Sequence, residues 1–357
     1  MMLGFLKESQ DHRVALVPQM VQKFKSLNCN LQLESGAGES AGYPDALYGS
    51  DVKITSRAEV IGGSEILFSI MKPDDALLSA IPSGRYIISS FESYMDAGII
   101  ETLRKRGLHA FSMDMIPRTT LAQGMDVLSS MASIAGYKAV IKAADHLVRY
   151  FPMMITAAGS IKPARVLIIG AGVAGLQAVA TARRLGAIVE VFDTRSAVKE
   201  EVQSLGAKFV EIEGATEDKT AGGYAVEQTE DFLRRQRALV QEKAEAAHVI
   251  ITTAQVRGRK APIIIPKETV DKMLPGSVIV DIASATGGNC ELTRDKEIVN
   301  HNGVTIIGDS ELADTMPQDA SFLYANNIIN FLKIIINNGE LSPDTNNEIV
   351  ASAWITK

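Results

Sequence analysis

Two periodicities alternate along the chain. Short apolar runs at 3–6, 31–34, 65–70, 86–91 and 108–113 have strand length, and stretches at 18–27, 76–81 and 95–106 repeat their apolar positions at helical spacing. Strands that alternate with helices in this way predict a parallel sheet with crossover helices. A long helical pattern follows at 122–150, broken near Gly136 and ended by Pro152. A second series starts at Pro163, with strands at 165–169, 188–192, 208–210, 249–252, 277–280 and 304–307. Its helices fall at 173–185, 197–205, 226–247 and 267–273, and a helical pattern at 321–336 closes the chain. The pattern predicts an α/β protein of two doubly wound parallel-sheet domains linked by long helices. The first is 1–128, completed by 318–357; the second is 129–317. No internal repeat stands out.

The strongest local chemistry is Gly170-Ala171-Gly172-Val173-Ala174-Gly175, which follows the apolar strand ARVLIIG and opens an apolar helix. Gly170 permits the tight turn, and Gly172 lets backbone approach a pyrophosphate whose charge the helix N-terminus meets. Gly175 lets helix and strand pack closely. The next strand, AIVEVFD, ends in Asp193, where a carboxylate accepts hydrogen bonds from adenosine-ribose hydroxyls. This makes the domain Rossmann-like. A carboxylate there repels a 2′-phosphate and favours NAD over NADP, although Arg195 two residues on could blunt the preference.

Two further constellations are less decisive. Arg118, Gln123, Asp126 and Ser129 lie between a strand and a helix, where α/β proteins place a ligand crevice. They fit a ligand site and they fit helix capping with a solvated face, and their spacing does not choose. The polar stretch 211–224 is long for a compact domain and holds Gly222, Gly223 and Tyr224, a hinge with a flat aromatic that suits a lid or an ordinary turn.

Composition narrows the classes. Of 357 residues 46% are hydrophobic and 22% charged, which excludes a disordered chain and a coiled-coil rod. The net charge of −6, without a dominant basic patch, gives no nucleic-acid signature. Cys29 and Cys290 cannot build a disulfide framework. His12, His109, His146, His248 and His301 are scattered, no metal-ligand spacing appears, and HExxH and CxxC are both missing. The run 166–182 is apolar and uncharged, but its glycines make it strand, loop and helix and not a membrane span. Lys7 and Glu8 come too early for a signal-peptide core, so the N-terminus reads as a first strand.

From end to end the chain resembles the NAD(H)-binding domain I of the proton-translocating nicotinamide nucleotide transhydrogenases. The resemblance rests on RVALVP from Arg13, PRTTLAQGMDVLSSMASIAGYKAV from Pro117, FPMMITAAGSIKPARVLIIGAGVAGLQA from Phe151 and FDTR from Phe192. It continues with GGYA from Gly222, ITTAQVRGRKAP from Ile251 and VDIASATGGNCE from Val280. It implies that Arg118, Gln123 and Asp126, with Ser129 beside them, position the nicotinamide for hydride transfer. It also implies that Gly170, Gly172, Val173, Ala174, Gly175, Asp193, Thr194, Gly223, Tyr224, Thr253 and Ala254 bind the nucleotide, with Tyr224 on a mobile loop. The implied activity is hydride transfer, of the Re/Si-specific class, between NADH bound here and NADP+ on a separate domain III, coupled to proton translocation by a membrane domain II. Neither partner domain is in this sequence, which ends about where relatives continue toward a linker and apolar helices. The resemblance further implies a homodimer, no metal, and a soluble domain peripheral to a membrane, on its cytoplasmic or mitochondrial-matrix side. The acidic stretch 309–319 departs from the family pattern.

Alanine dehydrogenase, a sister with the same two-domain plan, is the rival. Its chemistry moves protons and needs acid–base groups. Where it has a catalytic lysine, histidine and aspartate, this chain has Met71, Glu92 and Ala285. Transfer between two nicotinamides needs positioning and exclusion of water, so no acid–base set is expected. A non-catalytic NAD-binding module is the third reading.

Overall fold

The computed structural model describes residues 1–211 and 229–357. The chain divides into two compact units, Met1–Met131 with Ala313–Lys357, and Ala132–Leu312.

The first unit carries β1 (Met2–Phe5), α1 (Val21–Lys25), β2 (Asn30–Glu34), β3 (Val52–Thr55), α2 (Arg57–Gly63), β4 (Ile66–Phe68), α3 (Asp75–Ala80), β5 (Tyr86–Ser89), α4 (Gly98–Lys105) and β6 (His109–Ser112). The strands form one parallel sheet in the order β3-β2-β1-β4-β5-β6. Alternate residues feed opposite cores, as the pleat requires. Leu3, Phe5 and Phe68 pack with Tyr324, Ile328 and Phe331. Leu67, Ile87 and Ala110 pack with Leu77, Leu78 and Leu103.

Next comes α5 (Val127–His146), within which the chain passes to the second unit. The hairpin β7 (Met154–Thr156) and β8 (Gly159–Ile161) follows. Then come β9 (Arg165–Ile169), α6 (Val173–Arg184), β10 (Ile188–Phe192), α7 (Lys199–Ser204), β11 (Lys208–Phe209), α8 (Glu230–Ala246), β12 (Val249–Thr252), α9 (Lys267–Val270), β13 (Val278–Asp281), β14 (Glu297–His301) and β15 (Val304–Gly308). Among the described residues the sheet order is β11-β10-β9-β12-β13-β15-β14, parallel except for the edge strand β14. Here too the faces separate. Val166 and Ile168 pack with Ala139, Val140, Ala178 and Ala182, whereas Leu167 and Ile169 pack with Val240, Ala244 and Val270. Helices on both faces of a parallel sheet make each unit a doubly wound, Rossmann-like domain. The chain returns to the first unit as α10 (Pro317–Ile335) and ends in α11 (Glu348–Ala353).

Three local expectations differ. The helix at 122–150 is continuous through Gly136: a turn at Thr120–Met125 precedes α5, which runs unbroken and stops at His146. Gly136 is where α5 meets α6, since a Cβ there would overlap the Ala174 carbonyl. The strands β3 and β14 and the hairpin β7–β8 add to the expected elements. Tyr224, Gly223 and the proposed lid lie outside the described residues, as does the predicted helix start at 226–228. Among the described residues no helix is long and apolar enough to cross a membrane.

Candidate nucleotide site

The strand order of the second unit reverses between β9 and β12, and ligands of open α/β sheets sit at the strand C-termini beside such a reversal. The glycine turn lies there. Gly170 has φ +100, outside the range ordinary residues adopt, and its N–H donates to the Phe192 carbonyl at 2.8 Å. A Cβ on Gly170 would strike Thr253 Oγ1, and one on Gly175 would overlap the Gly170 carbonyl oxygen. The protein's own packing therefore requires both glycines.

Gly172 is different. It is the N-cap of α6 with φ −82, a conformation open to any residue, and a Cβ on it would meet nothing within 4 Å among the described residues. No side chain caps this helix end. The first-turn N–H groups of Val173 and Ala174 are donors of the kind that anions occupy. Among the described residues, neither packing nor backbone geometry asks for a glycine at 172.

Asp193 directly follows the neighbouring strand β10. Its Oδ2 accepts from the Ala171 N–H at 2.7 Å and from Arg195 Nη2 at 2.9 Å; its Oδ1 accepts from the Arg195 N–H at 2.8 Å and Arg195 Nε at 3.0 Å. Burial pushes the carboxyl upward, but the Arg195 guanidinium and the two N–H groups outweigh it and hold it below its ordinary value. Thr194 is exposed beside it.

At the end of β12 the Thr253 N–H donates to Ile169 O at 2.8 Å, and its hydroxyl donates to the Ile169 and Gly170 carbonyls at 3.2 Å, pinning the turn. Ala254 is held by a fully buried amide: Asn289 Oδ1 accepts from its N–H at 3.0 Å and Asn289 Nδ2 donates to its carbonyl at 2.8 Å. Asn289 is itself fixed by Asp281, whose buried carboxylate accepts from the N–H groups of Ala283, Asn289 and Cys290 and from the Thr293 hydroxyl. Sequence reasoning missed both supports. Their signal was an aspartate ending β13, as Asp193 follows β10, ahead of the turn Thr286-Gly287-Gly288-Asn289.

In the first unit, Arg118 and Gln123 are exposed, and their side chains carry no hydrogen bond or ion pair among the described residues. Asp126 stands at the start of α5 with Oδ1 accepting from the Ser129 N–H at 2.9 Å and Oδ2 from the Ser129 hydroxyl at 2.6 Å. Asp126 is thus a helix cap, one of the two readings its spacing allowed. Asn327 and Asn330 of α10 both donate to the Gly124 carbonyl, at 2.9 and 3.0 Å, and tie this segment down. Sequence offered no hint of these anchors.

Met71 is partly exposed, and Glu92, also exposed, adopts φ +50 while its N–H donates to Asp114 Oδ2 at 3.2 Å. The cations beside Met71 are both paired. Arg13 Nε donates to Asp11 Oδ1 at 2.8 Å, and Lys72 Nζ lies 2.8 Å from Asp96 Oδ2. Ala285 is exposed on a short turn.

Residues 4–135 match the family described as alanine dehydrogenase/PNT, N-terminal domain, and residues 139–357 match alanine dehydrogenase/PNT, C-terminal domain. The chain is 42% identical over 339 residues to the NAD(P) transhydrogenase subunit alpha of Haemophilus influenzae, covering 94% of itself and 66% of that protein. It is 40% identical over 352 residues to the NAD(P) transhydrogenase subunit alpha of Cereibacter sphaeroides, covering 96% of itself and 67% of that protein. The chain thus spans about two thirds of the length of these two relatives. The crystal structure of a transhydrogenase from Sinorhizobium meliloti superposes with a TM-score of 0.91 at 38% identity, over 99% of this chain and 97% of that one. An L-alanine dehydrogenase structure shares the fold, with a TM-score of 0.80 at 22% identity over 99% and 94% of the two chains.

Proposed function

Because this chain belongs to the alanine dehydrogenase/PNT family, among its NAD(P) transhydrogenase alpha subunits, we propose that it is the NAD(H)-binding component of a proton-translocating transhydrogenase. The nucleotide supplies a hydride, which passes to NADP+ on a separate domain, and a membrane domain couples the transfer to proton movement. The observation that carries the reading is Gly172, a glycine at an uncapped helix start that no packing among the described residues requires. Around it, the N–H groups of Val173 and Ala174 receive the pyrophosphate. Asp193, with Thr194, takes the adenosine ribose, and Thr253 and Ala254 shape the crevice wall. Arg118 and Gln123 grip the carboxamide, Asp126 and Ser129 hold the adjacent ribose, and Gly223 and Tyr224 close over the nucleotide.

These residues bind, orient and exclude water. None is asked to exchange a proton with substrate, as befits transfer from one nicotinamide to another. The sister reaction of alanine dehydrogenase finds less support. Met71 and Glu92 stand where it needs lysine and histidine, and Arg13 and Lys72 are each neutralised by an acid. The proposed partners are an NADP(H)-binding domain, a membrane domain and a second copy of this chain. The proposed location is the cytoplasmic or matrix face of a membrane.

Equilibrium titration tests the cofactor assignment. NADH binds, and NADPH binds at least roughly tenfold more weakly, because like charge at the ribose costs several kcal/mol. Equal affinities overturn it.

A further inference from the structure

Arg195 lies two residues past the acid that reads the ribose, and its guanidinium is forked onto that acid. Asp193 is left without a spare lone pair in its preferred directions: its two oxygens accept four hydrogen bonds, two of them from the Arg195 side chain. The Asp193 side chain is 7% exposed and that of Arg195 is 38% exposed, so the acid is the fixed partner and the arginine the movable one. Two vicinal ribose hydroxyls ask for the positions that Arg195 Nε and Nη2 now fill. A 2′-phosphate asks for the opposite, a guanidinium with a free fork.

We propose that the Asp193–Arg195 fork is a specificity latch. A ribose with free hydroxyls displaces Arg195 and takes Asp193, while Asp193 keeps Arg195 from serving as the 2′-phosphate ligand it is placed to be. Arg195 is then a specificity-determining residue with two effects of opposite sign. Latched, it competes with NADH; released, it recruits NADPH. The inference rests on the nucleotide reading of this site and adds that discrimination is set by the pair, beyond the acid's own repulsion of phosphate. The two neighbouring N–H bonds, from Ala171 and from Arg195 itself, hold the carboxylate in place whichever partner it has.

The test compares the full chain with Arg195→Ala, Asp193→Asn and the double variant, by calorimetric titration of NADH, NADPH, 5′-AMP and adenosine 2′,5′-bisphosphate. The two adenosine ligands isolate this end of the site. Asp193→Asn keeps an acceptor for the Ala171 N–H, and circular dichroism checks that each variant is folded. Arg195→Ala binds NADH and 5′-AMP about two- to fivefold more tightly, the scale of breaking a partly exposed ion pair. Asp193→Asn shifts the NADPH-to-NADH affinity ratio upward by roughly tenfold or more, and the bisphosphate follows. The double variant keeps only the part of that gain that comes from losing the acid's charge, so its ratio falls clearly below that of Asp193→Asn. Unchanged or weaker NADH binding by Arg195→Ala overturns the displacement, and a gain as large in the double variant as in Asp193→Asn, or none in folded Asp193→Asn, overturns the recruitment. If the unmodified chain binds neither nucleotide, it is the nucleotide reading that fails.

Discussion

Gly172→Ala separates a glycine needed by the fold from one needed by a ligand. Among the described residues the added methyl meets nothing within 4 Å, and φ −82 suits alanine. Alanine is a poorer N-cap than glycine by about 0.5–1 kcal/mol, while restricting the unfolded chain returns about 0.4–1 kcal/mol. The two nearly cancel, so the melting temperature stays within roughly 4 °C of the parent, given about 2–4 °C per kcal/mol for a unit of this size. Binding does not stay. The methyl takes up open space at the start of α6 that an approaching phosphate would use, and losing one hydrogen bond to a charged group costs about 1.5–3 kcal/mol, or roughly ten- to 150-fold in affinity. Gly175→Ala is the contrast. Its methyl overlaps the Gly170 carbonyl, and forcing helix from strand costs about 1–3 kcal/mol, which lowers the melting temperature by roughly 2–12 °C. Melting followed by circular dichroism and NADH titration by calorimetry read both quantities. Parental NADH affinity in a folded Gly172→Ala protein refutes the reasoning.

Gln123→Asn and Asp126→Asn leave NADH affinity within a few-fold while slowing hydride transfer to an NADP-domain partner by roughly ten- to a hundredfold, since they misplace the nicotinamide and spare the pyrophosphate contacts. Asparagine also caps a helix, so Asp126→Asn keeps the bond to the Ser129 N–H and melts like the parent; a parental transfer rate in that variant would show that capping alone accounts for the residue. Pyruvate with ammonium does not speed NADH oxidation, and measurable turnover would overturn the reading of Met71, Glu92 and Ala285. His248 gives a pH dependence of stability. Its burial, with the charges of Arg149 and Arg165, lowers the imidazole pKa to about 4 from an ordinary value of 6.5. The unfolded chain takes up that proton first, so the contribution is complete above pH 6.5 and is lost as pH falls toward 4. Urea midpoints measured across this window fall with pH in the parent and flatten in His248→Asn; parallel slopes would sink the assignment.

The two domains were legible because a buried parallel strand is an uninterrupted apolar run. Arg165–Ile169, Val249–Thr252 and Val278–Asp281 are buried at nearly every position. The misses share another cause. Val52–Thr55 is a half-exposed edge strand carrying Lys53, so it lacks that signal. Glu297–His301 is also an edge, and its one cue is a hairpin turn, Asn302-Gly303 between apolar runs. Gly136 reads as a break because a glycine that ends a helix and one that admits another helix are the same letter. At the site, the turn and its acid were readable as a spacing. Asn289, Asn327 and Asn330 were not, because each acts through a contact far along the chain, and Asp281 was not, because its partners converge only in the folded turn after β13. Nor could sequence place the Arg195 guanidinium, which faces Asp193 only once β10 and the following turn are formed.

The most direct measurement mixes this chain with an NADP(H)-binding transhydrogenase component and follows reduction of an NAD analogue by NADPH. Reduction that requires both proteins, and that falls in Gln123→Asn without a matching loss of nucleotide affinity, is the predicted result. An analogue that binds this chain tightly and is never reduced, with a partner component active toward an established subunit, would contradict the account and leave a nucleotide-binding module without a role in transfer.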